Sequence, residues 1–173
     1  GIFMFVQERY EIFDVSWQDE IVQEVKEVVD TDEENMEGED SEEQSVEDSY
    51  VEISIPNGLA IRVDVDIADT DIERSRGLSG RKYLGDYEGM LFVYENEVSN
   101  TFWMKDMLIP LDIIFIDREN FIVDIKENQQ PCESDYCPSI PSSDPFQYVL
   151  EVNSDFCEEN GIEEGYSVVQ YLQ

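Results

Sequence analysis

From Val51 onward the apolar side chains fall at every second position. Val51, Ile53 and Ile55 alternate with polar residues, and Pro56-Asn57-Gly58 then reads as a turn. Leu59, Ile61, Val63, Val65 and Ile67 resume the alternation, so the two runs predict a β-hairpin with one wet face. Thr70 with Glu73 three residues later is a capping box, and Gly77 suits a helix end, which predicts a helix of about two turns between them. Further strands are predicted over 90–94, 100–104, 111–116, 121–126, 148–152 and 167–172, with Asp117-Arg118-Glu119-Asn120 as a hairpin loop. Ser154 opens a second short helix that Gly161 closes. Many short strands separated by turn signals indicate a sandwich or barrel, and no internal repeat is evident.

Upstream the period changes. Over 16–29, Ile21, Val22, Val25, Val28 and Val29 fall at helical spacing behind Ser16, a capping residue, and predict an amphipathic helix. The apolar run Ile2-Phe3-Met4-Phe5-Val6 is far shorter than the roughly 20 residues that span a bilayer. It reads either as the remnant of an upstream signal or membrane anchor, or as a segment packing on the domain. Residues 30–49 carry 11 acids and no base, too little apolar surface to offset ordering entropy, and are expected to form a disordered acidic linker. The chain thus divides into an apolar segment with a helix (1–29), a linker (30–49) and a β domain (50–173).

Within the β domain three linked phrases stand out: Gly89-Met90-Leu91-Phe92, Phe102-Trp103-Met104-Lys105 and Ile109-Pro110-Leu111-Asp112. Glu73-Arg74-Ser75-Arg76-Gly77-Leu78-Ser79-Gly80-Arg81 precedes them and Tyr148-Val149-Leu150-Glu151-Val152 follows. In this order they resemble the domain of unknown function 192 family, also called uncharacterised protein family 0127, over about residues 51–172. The resemblance implies a compact, mostly antiparallel, jelly-roll-like β fold and implies no established chemistry. Two positions depart from the family's pattern: Asp106-Met107 replaces a common Asn-Thr, and Gly165-Tyr166 replaces a Gly-Asp pair.

Charge changes the picture more than size does. The 173 residues hold 43 acids and 10 bases, for a net charge of -33, while 41% hydrophobic content is ample for a core. Such a field repels phosphate backbones and anionic membrane surfaces, which excludes nucleic acid as an expected partner. The excess of Asp and Glu over Lys reads as adaptation to high salt, where screening removes the self-repulsion. There is no histidine, so the commonest general base and the commonest metal ligand are both missing. No metal site and no cofactor are expected.

The candidate chemistry is sparse. Cys132 and Cys137 lie in a loop flanked by Pro131 and Pro138; their spacing is not that of a redox pair, and no further Cys or His completes a zinc site. A small disulfide closing this loop is expected, and with it an oxidising, extracytoplasmic setting. Cys157 beside Phe156 reads as a core thiol. Asp112 follows an apolar phrase and Glu151 sits in an apolar strand, so each needs a partner if buried. One reading pairs them structurally with Arg76 or Arg81 and with Lys105. The other makes Arg76, Arg81, Trp103, Lys105, Asp112 and Glu151 a shallow ligand site in which Arg81 and Lys105 meet an anionic group and Trp103 stacks against it. In a strand, Phe102 and Trp103 must point to opposite faces.

The leading functional expectation is a non-catalytic, extracytoplasmic binding module for a small molecule or an envelope protein. The alternative is a hydrolase or transferase using Asp112 or Glu151 with Arg81 and Lys105 as electrostatic clamps.

Overall fold

The computed structural model describes residues 48–173 apart from 57, 133 and 135. The expected segment and helix over 1–29, and the linker 30–49 except for its last two residues, lie outside the described residues. The described chain is mainly β, with two short helices, as the alternation predicts. In order the elements are β1 (Tyr50–Ile55), β2 (Leu59–Ala68), α1 (Asp71–Arg76), β3 (Glu88–Val98), β4 (Thr101–Phe102), β5 (Leu111–Ile116), β6 (Ile122–Gln129), β7 (Ile140–Pro141), β8 (Phe146–Asn153), α2 (Phe156–Asn160) and β9 (Val168–Tyr171).

Seven strands form one sheet in the order β6-β5-β8-β3-β2-β1-β9, and β4 pairs with β7 in a two-stranded ribbon. The sheet is mixed rather than wholly antiparallel: β2 and β3 run parallel, joined through α1, while the other neighbours are antiparallel. A parallel pair needs a crossover, and the short α1 with its following loop supplies it. The capping box forms as expected. Thr70 Oγ1 accepts from the Glu73 N–H and Glu73 Oε2 accepts from the Thr70 N–H, at 3.3 and 3.1 Å.

The two ends of the sheet approach each other without closing a barrel. Phe121 and Ser167 form a single bridge, and the Ile122 N–H reaches the Tyr166 carbonyl at 2.9 Å, but β6 and β9 share no ladder. The curl leaves β5 covered on both sides. Every residue of β5 is buried, and its side chains alternate between two clusters. Ile114 and Ile116 join Leu91, Leu150, Val152 and Phe156 of α2. Leu111, Ile113 and Phe115 join Phe92, Val149, Phe146 and, from the connecting loops, Leu78, Met104 and Met107. Successive side chains of a strand face opposite ways, so these clusters occupy the two faces of the sheet. Glu151, two residues beyond Val149, belongs to the second face.

Candidate functional site

That second face carries a cleft of about 300 Å³. Its floor and walls are the buried side chains of Leu78, Phe92, Met107 and Glu151, with half-buried Phe102 and Tyr94 beside them. Its rim holds the exposed Arg76, Asn100, Thr101, Trp103 and Lys105. Each element delivers its residue by a local rule. Alternation in β4 turns Phe102 inward, edge-on to Phe92 and Phe115, and leaves Trp103 just after it 58% exposed. The end of α1 brings Arg74 and Arg76 over β3.

Arg74 is a positioning residue. Its guanidinium donates to the Asp69 carbonyl, to the Val93 carbonyl at 2.7 Å and to Asp71 Oδ1 at 2.6 Å, and it lies 4.9 Å from the centroid of the Tyr94 ring. It thereby fastens α1 to β3. Burial pushes the Tyr94 hydroxyl above its ordinary pKa. Arg76 and Lys105, in contrast, make no ion pair among the described residues. In a chain with 43 acids and 10 bases, two cations left unpaired at one rim are an exception to the general composition.

Glu151 is 5% exposed, and its carboxyl makes no hydrogen bond or ion pair with any described residue. Burial alone pushes its carboxyl up to about 8. Of the candidates singled out in the sequence, Arg76, Trp103, Lys105 and Glu151 therefore meet at one cleft. Arg81 and Asp112 do not. Arg81 is paired with Asp66 at 2.7 Å and faces neighbouring depressions. Asp112 is fully buried, and its carboxylate accepts from the backbone N–H groups of Asn128 (2.7 Å), Cys157 (2.9 Å) and Asp155 (3.3 Å). The expected pairing of Asp112 and Glu151 with Arg76 or Arg81 and with Lys105 is not formed: backbone donors already hold Asp112, and Glu151 lies at the buried end of a cleft whose cations stand at its rim. Arg74 and Tyr94 escaped the sequence reading as site residues; the family-like phrase around Arg74 was the available signal.

The disulfide joins Cys132 to Cys137, with Cα atoms 5.7 Å apart. The Cys132 N–H donates to the Met104 carbonyl at 3.0 Å, and Lys105 bridges to Cys132, so the loop steadies the segment that carries Lys105. Cys157 is a buried free thiol, its pKa raised by burial and by Asp112. Among the described residues no cluster of Cys, Asp and Glu could hold a metal, and no helix is long and apolar enough to cross a membrane.

The domain of unknown function 192 family, described as an uncharacterized ACR, matches residues 53–170. No curated protein matches the chain. A crystal structure of a protein of unknown function from Novosphingobium aromaticivorans is 32% identical, with a TM-score of 0.64 over 69% of this chain and 83% of that one. One from Sinorhizobium meliloti, described as a candidate transcription regulator, is 30% identical, with a TM-score of 0.65 over 70% of this chain and 92% of that one.

Proposed function

We propose, from the premise that the chain belongs to the domain of unknown function 192 family and that membership brings no activity with it, that the cleft binds a small organic anion. The observation that carries this reading is a pair of cations, Arg76 and Lys105, that no described acid pairs with, beside an exposed Trp103 at the mouth of an apolar cleft. A cation that finds no acidic partner among the described residues is available for a ligand's carboxylate or phosphate, and an exposed indole offers a face for its apolar body. The protein is then a salt-adapted binding module. The disulfide favours an extracytoplasmic setting, because such bonds persist where the environment is oxidising. An envelope protein presenting an acidic side chain to the same rim is the related alternative.

The hydrolase or transferase reading keeps Glu151 and Lys105 in the cleft but not Asp112 and Arg81, which lie elsewhere. Nucleic acid, which the description of the Sinorhizobium relative would bring to mind, is disfavoured here by the net charge of -33.

The test is a thermal-shift and calorimetric screen of the full chain against aromatic carboxylates, sugar acids and phosphate esters. A ligand at a hundred times its Kd adds about 2.7 kcal/mol, which a melt resolves easily. The expected hit loses at least about tenfold in affinity, about 1.4 kcal/mol, in Trp103→Ala and in the Arg76→Ala/Lys105→Ala double variant. A blank across the three classes, or binding indifferent to those variants, would overturn the reading.

A further inference from the structure

The buried end of the cleft has a chemistry of its own. Resting on the reading of the cleft as an anion site, we propose that Glu151 is its inner recognition residue: it meets the ligand as a neutral acid and donates its proton in a hydrogen bond to an oxygen at the end of the ligand opposite the carboxylate. The ligand class that fits is an organic acid with an apolar body and a carbonyl or similar acceptor at its far end. The carboxylate stays at the rim with Arg76 and Lys105, Phe92, Phe102, Leu78 and Met107 flank the body, and the acceptor reaches Glu151.

Three observations carry this. Glu151 lines the cleft while almost fully buried, and no described residue satisfies its carboxyl. Among the described residues every fully enclosed side-chain nitrogen or oxygen has a hydrogen-bond partner, so the unpaired carboxyl of Glu151 is one whose oxygens open on the cleft, where a ligand can meet them. Its cross-strand neighbours are Met90 on β3 and Ile113 on β5, neither of which carries charge. The titratable and charged groups that share the cleft are Tyr94 from β3, Arg74 and Arg76 from α1, and Lys105 from the loop after β4. Arg74 is spent on Asp69, Asp71 and Val93, and Arg76 and Lys105 are exposed at the rim. With no cation drawing on it, an ionised carboxylate in this position is costly, and the neutral acid is the form present at neutral pH. A ligand with an amine at its inner end would give the opposite response, because it would draw the proton off Glu151.

The sign follows. Binding needs the protonated acid, so affinity holds below the Glu151 pKa of about 8 and falls above it. Two probes isolate the effect, para-acetylbenzoate, which presents a non-titrating ketone, and benzoate, which does not. Calorimetry on the full chain at about pH 7 and about pH 9 should show para-acetylbenzoate bound roughly tenfold more weakly at the higher pH, because the protonated fraction falls by about that factor. Glu151→Gln keeps a donor that does not titrate, and its preference for the ketone should persist at both values. Glu151→Leu should bind the two probes alike. In the wild-type chain, carbon-13 NMR of the glutamate carboxyls gives a check that needs no variant: one resonance titrates far above the others and shifts higher still with para-acetylbenzoate bound.

If binding depends on Arg76 and Lys105 but not on pH or on Glu151, this proposal fails and the anion site stands. The proposal also fails if every glutamate titrates in the ordinary acid range. If neither probe binds at either pH, the reading of the cleft as a site for such acids fails, and this proposal with it.

Discussion

Two buried carboxylates in this chain look alike in sequence and are held in opposite ways. Each is an acid in an apolar run, and the cost of burying it unpaired says that each wants a partner. Residue type cannot say whether that partner is a cation or the backbone. For Asp112 it is the backbone: Asn128 and Asp155 both adopt a positive φ, at 51° and 68°, and both present their N–H to its carboxylate, as does Cys157 at the start of α2. For the Glu151 carboxyl there is no partner among the described residues, because it faces a cleft instead of a packed loop. Hydrogen bonds to a charged acceptor contribute about 1.5–3 kcal/mol each, and their loss leaves buried donors orphaned, so Asp112→Ala should cost about 4 kcal/mol. Asp112→Asn should cost about half of that, since one acceptor oxygen survives. Urea unfolding checks both: the midpoint should fall with little change in m. A cost below 1 kcal/mol for the alanine variant would mean that these N–H groups find other partners.

At the scale of elements, the legible parts were those whose signal is local. The capping box of α1, the hairpin of β1 and β2 and the apolar run of β5, broken only by Asp112, could all be read from neighbouring residues. The parallel pairing of β2 with β3 could not, because alternation states which face a residue takes and says nothing of strand direction. Nor could β7, two residues with Pro141 among them, which lies below the length at which a period exists, while β4, predicted over 100–104, shortens to two residues. The cleft depends on that illegible part, since the crossover through α1 is what lays Arg74 and Arg76 over β3. Beneath it, β3 and β8 come together closely at Gly89, where a Cβ would stand 2.7 Å from the Glu151 carbonyl oxygen. Backbone cannot yield as a flexible side chain does. Gly89→Ala should therefore destabilise the protein by about 1–3 kcal/mol, the usual cost of overpacking. Hydrogen exchange should show the loss concentrated in the amides of β3 and β8. A variant as stable as wild type would mean that the ladder has slack at this point.

The whole molecule is governed by its charge. With a net charge of -33, most carboxylates have no basic partner anywhere in the chain. The described ion pairs, such as Arg62–Asp64 and Arg81–Asp66, are largely exposed and contribute little individually. Self-repulsion must then be relieved by the solvent. Screening shortens from about 10 Å at 0.1 M salt to about 3 Å at 1 M, so the melting temperature should rise by several degrees over that interval in KCl. A flat or falling melt would remove the argument for salt adaptation. The shape of the rise identifies its cause. If repulsion is the cause, the gain saturates by about 1 M, once neighbouring carboxylates no longer sense one another, and KCl and NaCl act alike at equal ionic strength. If the gain instead continues into higher concentrations and grows on changing chloride to sulfate, salt is acting through its exclusion from the protein surface, and the buried core rather than the acidic surface is what it stabilises.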